Sequence, residues 1–409
     1  MPEERTFGIH GALMINVVGS DPVSDTICRT LDSFVAPGGD ADLTLVMGAL
    51  PGGGWEPEGD LVGDRYLYDS SSGITTVLGD RPSKNPARSQ VEYVLTGDLR
   101  SPRGRLTVYV PKLRKRTGGW TNVKFELRRR NFRRALLAAS GNPFGDRNVI
   151  RQAEMITEEI IEPFLFYRLP SKGLSLLHAA SVSDGEQAVL VGGSANIGKT
   201  AFVLSSAKAG RGLLGDSYVI VSETGDVLSY PGLVKLNAGH LSIFPEVRHQ
   251  LTRGMGSFGS SLLESELSSN PNGALGALPQ WKFAELFEGA TVRSRGTLKL
   301  TVLVRRKSGG EVRCEEILPE TAARSLAAEL YWDFESAGWR NNRFILAPSA
   351  ARGNDLASEA TELHSKVAGV VYKGVSRSRC FGVEVPLGVP IQQVEKLVPG
   401  LGGPLRSHT

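Results

Sequence analysis

The sequence predicts an α/β protein of two domains, because strands and helices succeed one another differently in its two parts. Residues 1–140 alternate short β-like runs with turns rich in Gly, Pro and Asp, which predicts a smaller β-rich α+β domain. Residues 141–409 alternate apolar strand-like runs with helical patterns, which predicts an α/β domain. In that second part a Gly-rich turn stands between a strand and a helix, and the functional prediction depends on it.

Composition sets the broad class. The chain has 409 residues, is 41% hydrophobic and carries a net charge of +4, as a globular protein would. No apolar run reaches the roughly 18 residues that cross a bilayer, and the amino terminus has no long apolar core, so we expect neither a membrane span nor a secretion signal. Three cysteines far apart in sequence favour neither a disulfide framework nor a zinc site. We expect a cytoplasmic protein, and its oligomeric state stays open.

Positive charge is concentrated between residues 103 and 134, which contain twelve Lys or Arg and a single acid, Glu126. Such a stretch could attract an anionic partner, either nucleic acid, an anionic membrane surface or an acidic protein. The alternative is a solvated hairpin and helix start whose charges are balanced by acids elsewhere in the chain. The sequence shows no nucleic-acid-binding motif.

Local patterns predict the individual elements. Residues 41–50 and 105–111 are strand candidates in the first domain, and further strands are predicted over 174–183, 186–192, 212–222 and 226–232. Helices are predicted over 147–169, 199–210 and 319–338, with a kink or break at Pro163 in the first of them. Residues 296–318 predict a hairpin closed at the Lys-Ser-Gly-Gly turn. Residues 255–279, rich in Ser, Gly and Asn, predict a long loop, either a substrate-binding lid or a surface insertion.

The Gly-rich turn fits the pattern G-x-x-x-x-G-K-[ST]. This 193–200 loop consists of Gly193, Ser194, Ala195, Asn196, Ile197, Gly198, Lys199 and Thr200. Its backbone N–H groups must point inward at phosphate oxygens, and glycines leave room at the tightest points. Lys199 would reach the β- and γ-phosphates of a nucleotide, and the Thr200 hydroxyl would bind Mg²⁺. An apolar strand before the loop and an amphipathic helix after it supply the required setting; the alternative is a turn that binds nothing.

A loop of this kind also needs an acid that holds the metal. Asp216 follows a Gly/Leu strand only 17 residues after Lys199, which is unusually close. The alternative for Asp216 is an ordinary turn residue at a strand end. Neither an N-K-x-D nor an L-S-G-G-Q motif follows, which disfavours a GTPase and a transporter ATPase.

Three stretches carry a family resemblance: LLHAASVS, the 193–200 loop and GLLGDSYVIV. Over residues 174–235 they resemble the carboxy-terminal catalytic domain of the HPr serine kinase/phosphorylase family. The likeness is closer to HPr-kinase-related proteins that carry a separate amino-terminal domain. The resemblance implies a P-loop kinase domain of the HPr kinase/PEP carboxykinase-like type. His178, the loop and Asp216 stand at the places of the family pattern.

The resemblance implies ATP- and Mg²⁺-dependent transfer of a phosphoryl group to a hydroxyl acceptor. In the best-known members the acceptor is a serine of a protein or peptide, and in some relatives it is a small molecule. By this likeness Lys199 holds the phosphates, Thr200 and Asp216 hold Mg²⁺, and His178 sits beside the γ-phosphate or the acceptor. Lys235 and His240 lie downstream, where the acceptor could dock.

The chain departs from the family pattern at three positions. Ala195 stands where the family usually has Ser, and Asn196 where it has Gly, a mild change because Asn tolerates a left-handed backbone. Ser217 replaces a second Asp, which in the family is thought to accept the proton of the attacking hydroxyl. His178, Asp216 or neither could take that role. The alternatives are therefore a kinase and a catalytically weak ATP-binding regulatory module. For His178 the alternative is an ordinary core residue, since a lone His among apolar residues is often one.

Overall fold

The computed structural model describes residues 3–38, 40–49, 51, 60–62, 66–72, 74–78, 91–97, 105–110, 147–230, 232–253, 257, 261, 263–264, 274–283, 285–336, 349–390 and 398–399. The basic stretch 103–134, apart from residues 105–110, and the predicted boundary near residue 140 lie outside them. Contacts between Cα atoms divide the chain into two compact units. The first unit consists of Met1–Lys115, Ala153–Leu174 and Tyr331–Val367, and the other described residues form the second.

This division differs from the predicted one at residue 140, because two later segments belong to the first unit. Side-chain contacts explain the difference. The ring of Phe166 packs 5.9 Å from that of His364, which joins the second and third segments. Arg352 donates a 2.9 Å hydrogen bond to the Tyr68 hydroxyl and lies over its ring, which joins the third segment to the first.

The first unit is built on a mixed eight-stranded sheet, as its β-rich pattern predicts. The strands follow the order β1-β2-β3-β8-β7-β6-β5-β4, and only the β2–β3 and β3–β8 pairs are parallel. Their bounds are β1 Glu4–Ile9, β2 Leu13–Val18, β3 Leu43–Met47, β4 Asp60–Val62, β5 Tyr66–Asp69, β6 Ile74–Leu78, β7 Val91–Gly97 and β8 Leu106–Val110.

Helix α1 (Pro22–Leu31) makes the crossover between the parallel strands β2 and β3. Asp21 caps it by accepting hydrogen bonds from the N–H groups of Val23 and Ser24, which have no partner within the helix. Val23, Ile27 and Leu31 recur every four residues and are buried, so one face of α1 packs into the core of the unit.

The other helices are α2 Arg147–Ile156, α3 Glu162–Arg168, α4 Lys199–Lys208, α5 Ala238–Ile243, α6 Pro245–Thr252, α7 Gln280–Phe283, α8 Pro319–Ser336 and α9 Leu356–Val375. Short 3₁₀ segments cover Asp32–Phe34 and Leu169–Lys172. A π-helical turn, Thr157–Ile161, separates α2 from α3 immediately before Pro163. Proline has no N–H to donate and its ring crowds the preceding turn, so the regular α-helical ladder is interrupted where the sequence predicted it.

The second unit contains a larger mixed sheet, in the order β12-β10-β11-β17-β14-β13-β9, with β19 also paired to β17 and β18 paired to β19. Its strands are β9 Leu174–Leu177, β10 Ala179–Asp184, β11 Gln187–Gly192, β12 Gly212–Gly215, β13 Val219–Ser222, β14 Asp226–Leu228, β17 Arg295–Lys307, β18 Arg313–Glu316 and β19 Arg379–Pro386. Strands β15 (Leu233–Asn237) and β16 (Ala274–Pro279) pair separately. The chain is thus mixed α/β with two mixed sheets.

Buried apolar side chains from several of these elements form one core cluster in the second unit. Val189 and Val191 of β11, Phe202 of α4 and Val302 of β17 belong to it and are at most 2% exposed. Helix α4 therefore packs on the sheet beside the strand that precedes the 193–200 loop. The loop is held between two elements that the core fixes.

The strands predicted over 174–183 and 212–222 are each divided in two, and two further predictions of local structure were wrong. Residues 296–318 do not form a hairpin, because β19 lies between β17 and β18 and pairs with both. Residues 255–279 are not all loop, because β16 occupies the last six of them and Leu278 is buried in the core. In both cases a partner distant in sequence decides the pairing.

Candidate functional site

The topology of the second sheet brings three separate segments to one edge. Strand β10 is antiparallel to both β11 and β12, so β11 and β12 run in the same direction. The 193–200 loop follows β11, and Asp216 follows β12, at their carboxyl ends. His178 precedes β10 and therefore lies at the same edge, since Ala179 pairs with Gly192. The carboxyl ends of strands are where α/β sheets commonly bind ligands.

Two glycines give the loop its curvature. Gly193 has φ 135° and Gly198 has φ 109°, backbone angles that side chains with a Cβ rarely adopt. A Cβ on Gly193 would also lie 2.4 Å from the Val304 carbonyl oxygen of β17. Asn196, where the family pattern has Gly, takes the left-handed conformation with φ 64°, as the sequence predicted.

Ile197 anchors the loop, being 1% exposed and part of the core cluster. Ser194, Ala195 and Asn196 are exposed at its tip. Gly198 is the N-cap of α4 and supplies no side-chain cap to the first turn. A loop with a buried anchor, an exposed tip and an uncapped helix start suits an anion that approaches from solvent.

Lys199 is 8% exposed and bends back over the loop. Its Nζ donates hydrogen bonds to the carbonyl oxygens of Gly193 at 2.7 Å and Ser194 at 3.3 Å. Burial lowers the pKa of Lys199 to about 8, and the negative charges of Asp216 and Glu329 oppose that shift. The ammonium group is thus held inside the loop close to a carboxylate.

Asp216 is 2% exposed and accepts a 3.0 Å hydrogen bond at Oδ2 from the Thr200 hydroxyl. Burial raises its pKa to about 6, while the Thr200 hydroxyl, the charge of Lys199, and the backbone N–H and charge of Lys235 act against that rise. Its other oxygen, Oδ1, is buried and has no hydrogen-bond partner among the described residues. A buried carboxylate oxygen with spare acceptor capacity, next to a hydroxyl, is a fitting donor set for Mg²⁺.

His178 lies at the bend between β9 and β10, and its ring centroid is 5.3 Å from that of Tyr218. Burial lowers its pKa to about 3, and the charges of Lys199 and Lys235 lower it further. The imidazole is therefore neutral near pH 7. The predicted strand over 174–183 is divided at this residue into β9 and β10.

The other residues named from the sequence have separate positions. Lys235, on β15, is exposed, and its charge acts on both His178 and Asp216. His240 belongs to a capping box of α5, where its Nδ1 accepts a hydrogen bond from the Asn237 N–H. Ser217, which replaces the family's second acid, is half-buried beside Asp216.

Sequence reasoning missed two charged residues next to the loop. Arg306 of β17 donates a 2.9 Å hydrogen bond to the Ile197 carbonyl oxygen. Glu329 of α8 lies close enough to Lys199 to affect its pKa. Neither stands in a motif, and both reach the loop through sheet pairing or helix packing that connects residues more than a hundred positions apart.

Comparisons with known proteins add no family assignment. No model of a known protein family matches the chain, and no curated protein matches its sequence.

In the part of the chain that the structure describes, none of the helices combines the length and apolar character needed to span a membrane. Nor do those residues include a group of three or more His, Cys, Asp or Glu arranged to hold a metal ion.

Proposed function

We propose that this protein is an ATP- and Mg²⁺-dependent kinase that transfers a γ-phosphoryl group to a hydroxyl acceptor. The acceptor is a serine of a protein or peptide, or a small molecule, and the fold is a P-loop kinase domain of the HPr kinase/PEP carboxykinase-like type. One observation carries the proposal: the Thr200 hydroxyl, at the end of the 193–200 loop, is hydrogen-bonded to the buried Asp216 at 3.0 Å. Hydroxyl and carboxylate in contact at the end of such a loop are typical of metal–nucleotide binding.

The loop and Lys199 would bind the triphosphate. Backbone N–H groups around an exposed tip and an uncapped helix start supply partial positive charge without a side chain in the way. Lys199 now donates to two carbonyl oxygens of the loop, and in this proposal it exchanges them for phosphate oxygens. Its buried ammonium would neutralise charge that develops during transfer.

Thr200 and Asp216 would hold Mg²⁺, which when bound neutralises phosphate charge. The unpartnered Oδ1 of Asp216 supports this assignment, since a buried carboxylate oxygen without a partner costs folding free energy unless a ligand satisfies it. Its pKa of about 6 means that the carboxyl group is mostly ionised at neutral pH and ready for a cation.

The structure also bears on which residue accepts the proton of the attacking hydroxyl. A group whose pKa is about 3, as for His178, is a weak base near neutrality. Of these two residues we therefore propose Asp216, whose carboxylate would also hold Mg²⁺, as the proton acceptor. His178, as a neutral imidazole, would hydrogen-bond the γ-phosphate or the acceptor.

A second candidate function is a catalytically weak ATP-binding regulatory module. Ser217 favours it, because a hydroxyl beside Asp216 cannot replace the second carboxylate of the family pattern as a base. In this alternative the loop and the Thr200–Asp216 pair bind nucleotide, but no acceptor is phosphorylated. Nucleotide binding without transfer separates the two functions.

The test is phosphoryl transfer from γ-labelled ATP with Mg²⁺ in a lysate of the source cells, with labelled species identified by mass spectrometry. Lys199→Ala and Asp216→Asn should abolish the label. Lys208→Ala is the matched control, because Lys208 ends the same helix and is paired with Glu246 at the surface. Label that persists in both site variants refutes the assignment. No label from a wild type that binds ATP refutes the kinase and supports the regulatory module.

We also propose a cytoplasmic location and an anionic partner for the basic stretch 103–134, which could be the acceptor itself. Binding through that stretch must weaken steeply as salt rises, because it depends on charge. Acceptor binding that is insensitive to salt would refute this part of the proposal. The oligomeric state, which the sequence leaves open, is measured by sedimentation of the purified protein.

A further inference from the structure

Arg306 connects the 193–200 loop to a turn at the end of β19. Its Nη2 donates to the Ile197 carbonyl oxygen at 2.9 Å. Its Nη1 donates to the carbonyl oxygens of Val389 at 2.6 Å and Pro386 at 3.3 Å. One guanidinium group thus holds three backbone carbonyls from two segments, and its planar fork of five N–H donors spans them more widely than a compact ammonium group would.

Sheet register places Arg306 there. Strand β17 runs parallel to β11, and Leu303 pairs with Gly192, the last residue before the loop. Arg306 is three residues further along β17, so it lies beside the loop at the same edge. The side chain is half-buried, and burial lowers its pKa, yet an arginine keeps its charge at any physiological pH.

The bond to Ile197 fixes the direction of an N–H group as well. The peptide bond is planar and trans, so its C=O and N–H point in opposite directions. With the Ile197 carbonyl held by Arg306, the N–H of Gly198 in the same peptide points away from Arg306. Lys199 holds the Gly193 carbonyl at the other end of the loop and orients the following N–H in the same way.

We infer that Arg306 is a positioning residue that presets the backbone N–H groups of the loop for phosphate. The inference rests on the proposed function and names a residue that the sequence did not indicate. Because a preset loop loses little conformational entropy on binding, the contribution of Arg306 is to nucleotide affinity rather than to acceptor binding. Arg306 itself contacts backbone carbonyls, so its role is indirect.

The neighbouring Arg305 provides a matched control. Successive residues of a strand point to opposite faces, and Arg305 is exposed, with a 3.5 Å contact from its Nη2 to the Ser325 hydroxyl. Arg305→Met removes the same charge from the same strand one residue away. It therefore separates an effect of local charge from an effect of the loop contact.

The experiment compares wild type, Arg306→Met, Arg306→Lys and Arg305→Met. ATP affinity is measured by titration calorimetry with Mg²⁺, and hydrogen exchange of residues 187–200 is measured without nucleotide. We expect Arg306→Met to bind ATP about tenfold more weakly, the effect of one charged hydrogen bond, with faster exchange in the loop. Arg306→Lys should be intermediate, and Arg305→Met should match wild type. KM for the acceptor should stay within about twofold in all four proteins.

Each outcome decides the inference. Wild-type ATP affinity and loop exchange in Arg306→Met would overturn it and leave the proposed function intact. Wild-type protein that binds no ATP would refute the proposed function, and the inference with it. If Arg306→Met also loses protection in β11, its fold is disturbed and Arg306→Lys decides. With β11 protected, weaker ATP binding by Arg306→Lys supports the inference, and unchanged binding overturns it.

Discussion

Replacing Asp216 by Asn should stabilise the metal-free protein while abolishing the proposed activity. The carboxyl group is 2% exposed, and burial raises its pKa from 3.8 to about 6. At about 1.4 kcal/mol per pH unit, this shift corresponds to up to about 3 kcal/mol of folding free energy lost when the group ionises. Asn has a similar shape and no charge, so the variant should recover up to that amount near pH 7.

The sign of the pH dependence follows from the raised pKa. The folded protein binds the proton of the Asp216 carboxyl group more tightly than the unfolded chain does. The protonated group therefore makes its full contribution to folding stability below pH 3.8, and that contribution is lost as the pH rises through about 6. Urea unfolding with a metal chelator present measures the free energy of unfolding of both proteins. Asp216→Asn should be more stable near pH 7, and the difference should vanish near pH 4. A variant that is no more stable than wild type near pH 7 would refute the reasoning.

Three further substitutions test the site. Gly193→Ala should lose ATP binding and at least about 2 kcal/mol of stability in urea unfolding, because its Cβ would meet the Val304 carbonyl oxygen at 2.4 Å at a φ of 135°. Gly185→Ala is the control, because Gly185 has φ 61° with open space around it, and it should lose only about 1 kcal/mol in the same titration. Thr200→Val should weaken ATP binding about tenfold with Mg²⁺ and little without it, by calorimetry, and equal losses in both conditions would contradict a metal role. His178→Gln should become more stable relative to wild type as pH falls from about 6.5 towards 3, by up to about 5 kcal/mol. In that range the unfolded chain protonates its imidazole and the folded protein does not, so only the wild type loses folding stability through this group. Parallel pH profiles of the two proteins would show that the imidazole is not buried.

Local sequence predicted the loop well because its conformation is encoded locally. Glycines at the two tightest positions and Asn196 between them are the residues that tolerate left-handed backbone angles, and all three adopt them. The strand before the loop follows from its apolar run, and the helix after it lies where it was predicted, although it is buried on most sides rather than amphipathic. Asp216 was named because the motif demands an acid, and the structure places its carboxylate in hydrogen-bond contact with the Thr200 hydroxyl.

Contacts between distant segments could not be read from the sequence. The place of β19 between β17 and β18 depends on pairing across some seventy residues, while a Gly-rich turn at residues 307–310 resembles that of a hairpin. The contact of Arg306 with the loop arises from the same sheet and has no motif. The lowered pKa of His178 could not be foreseen either, because burial and two neighbouring lysines are properties of the fold.

The discontinuous first unit has a consequence for synthesis on the ribosome. Residues 1–115 emerge first, but the unit is complete only when Tyr331–Val367 has been made, after most of the second unit has already left the exit tunnel. Folding in order from the amino terminus, the usual course for domains in series, cannot finish the first unit early. Its earlier segments must wait for the last one, so chaperone dependence and aggregation during synthesis should respond more to slowing of translation before residue 367 than after it.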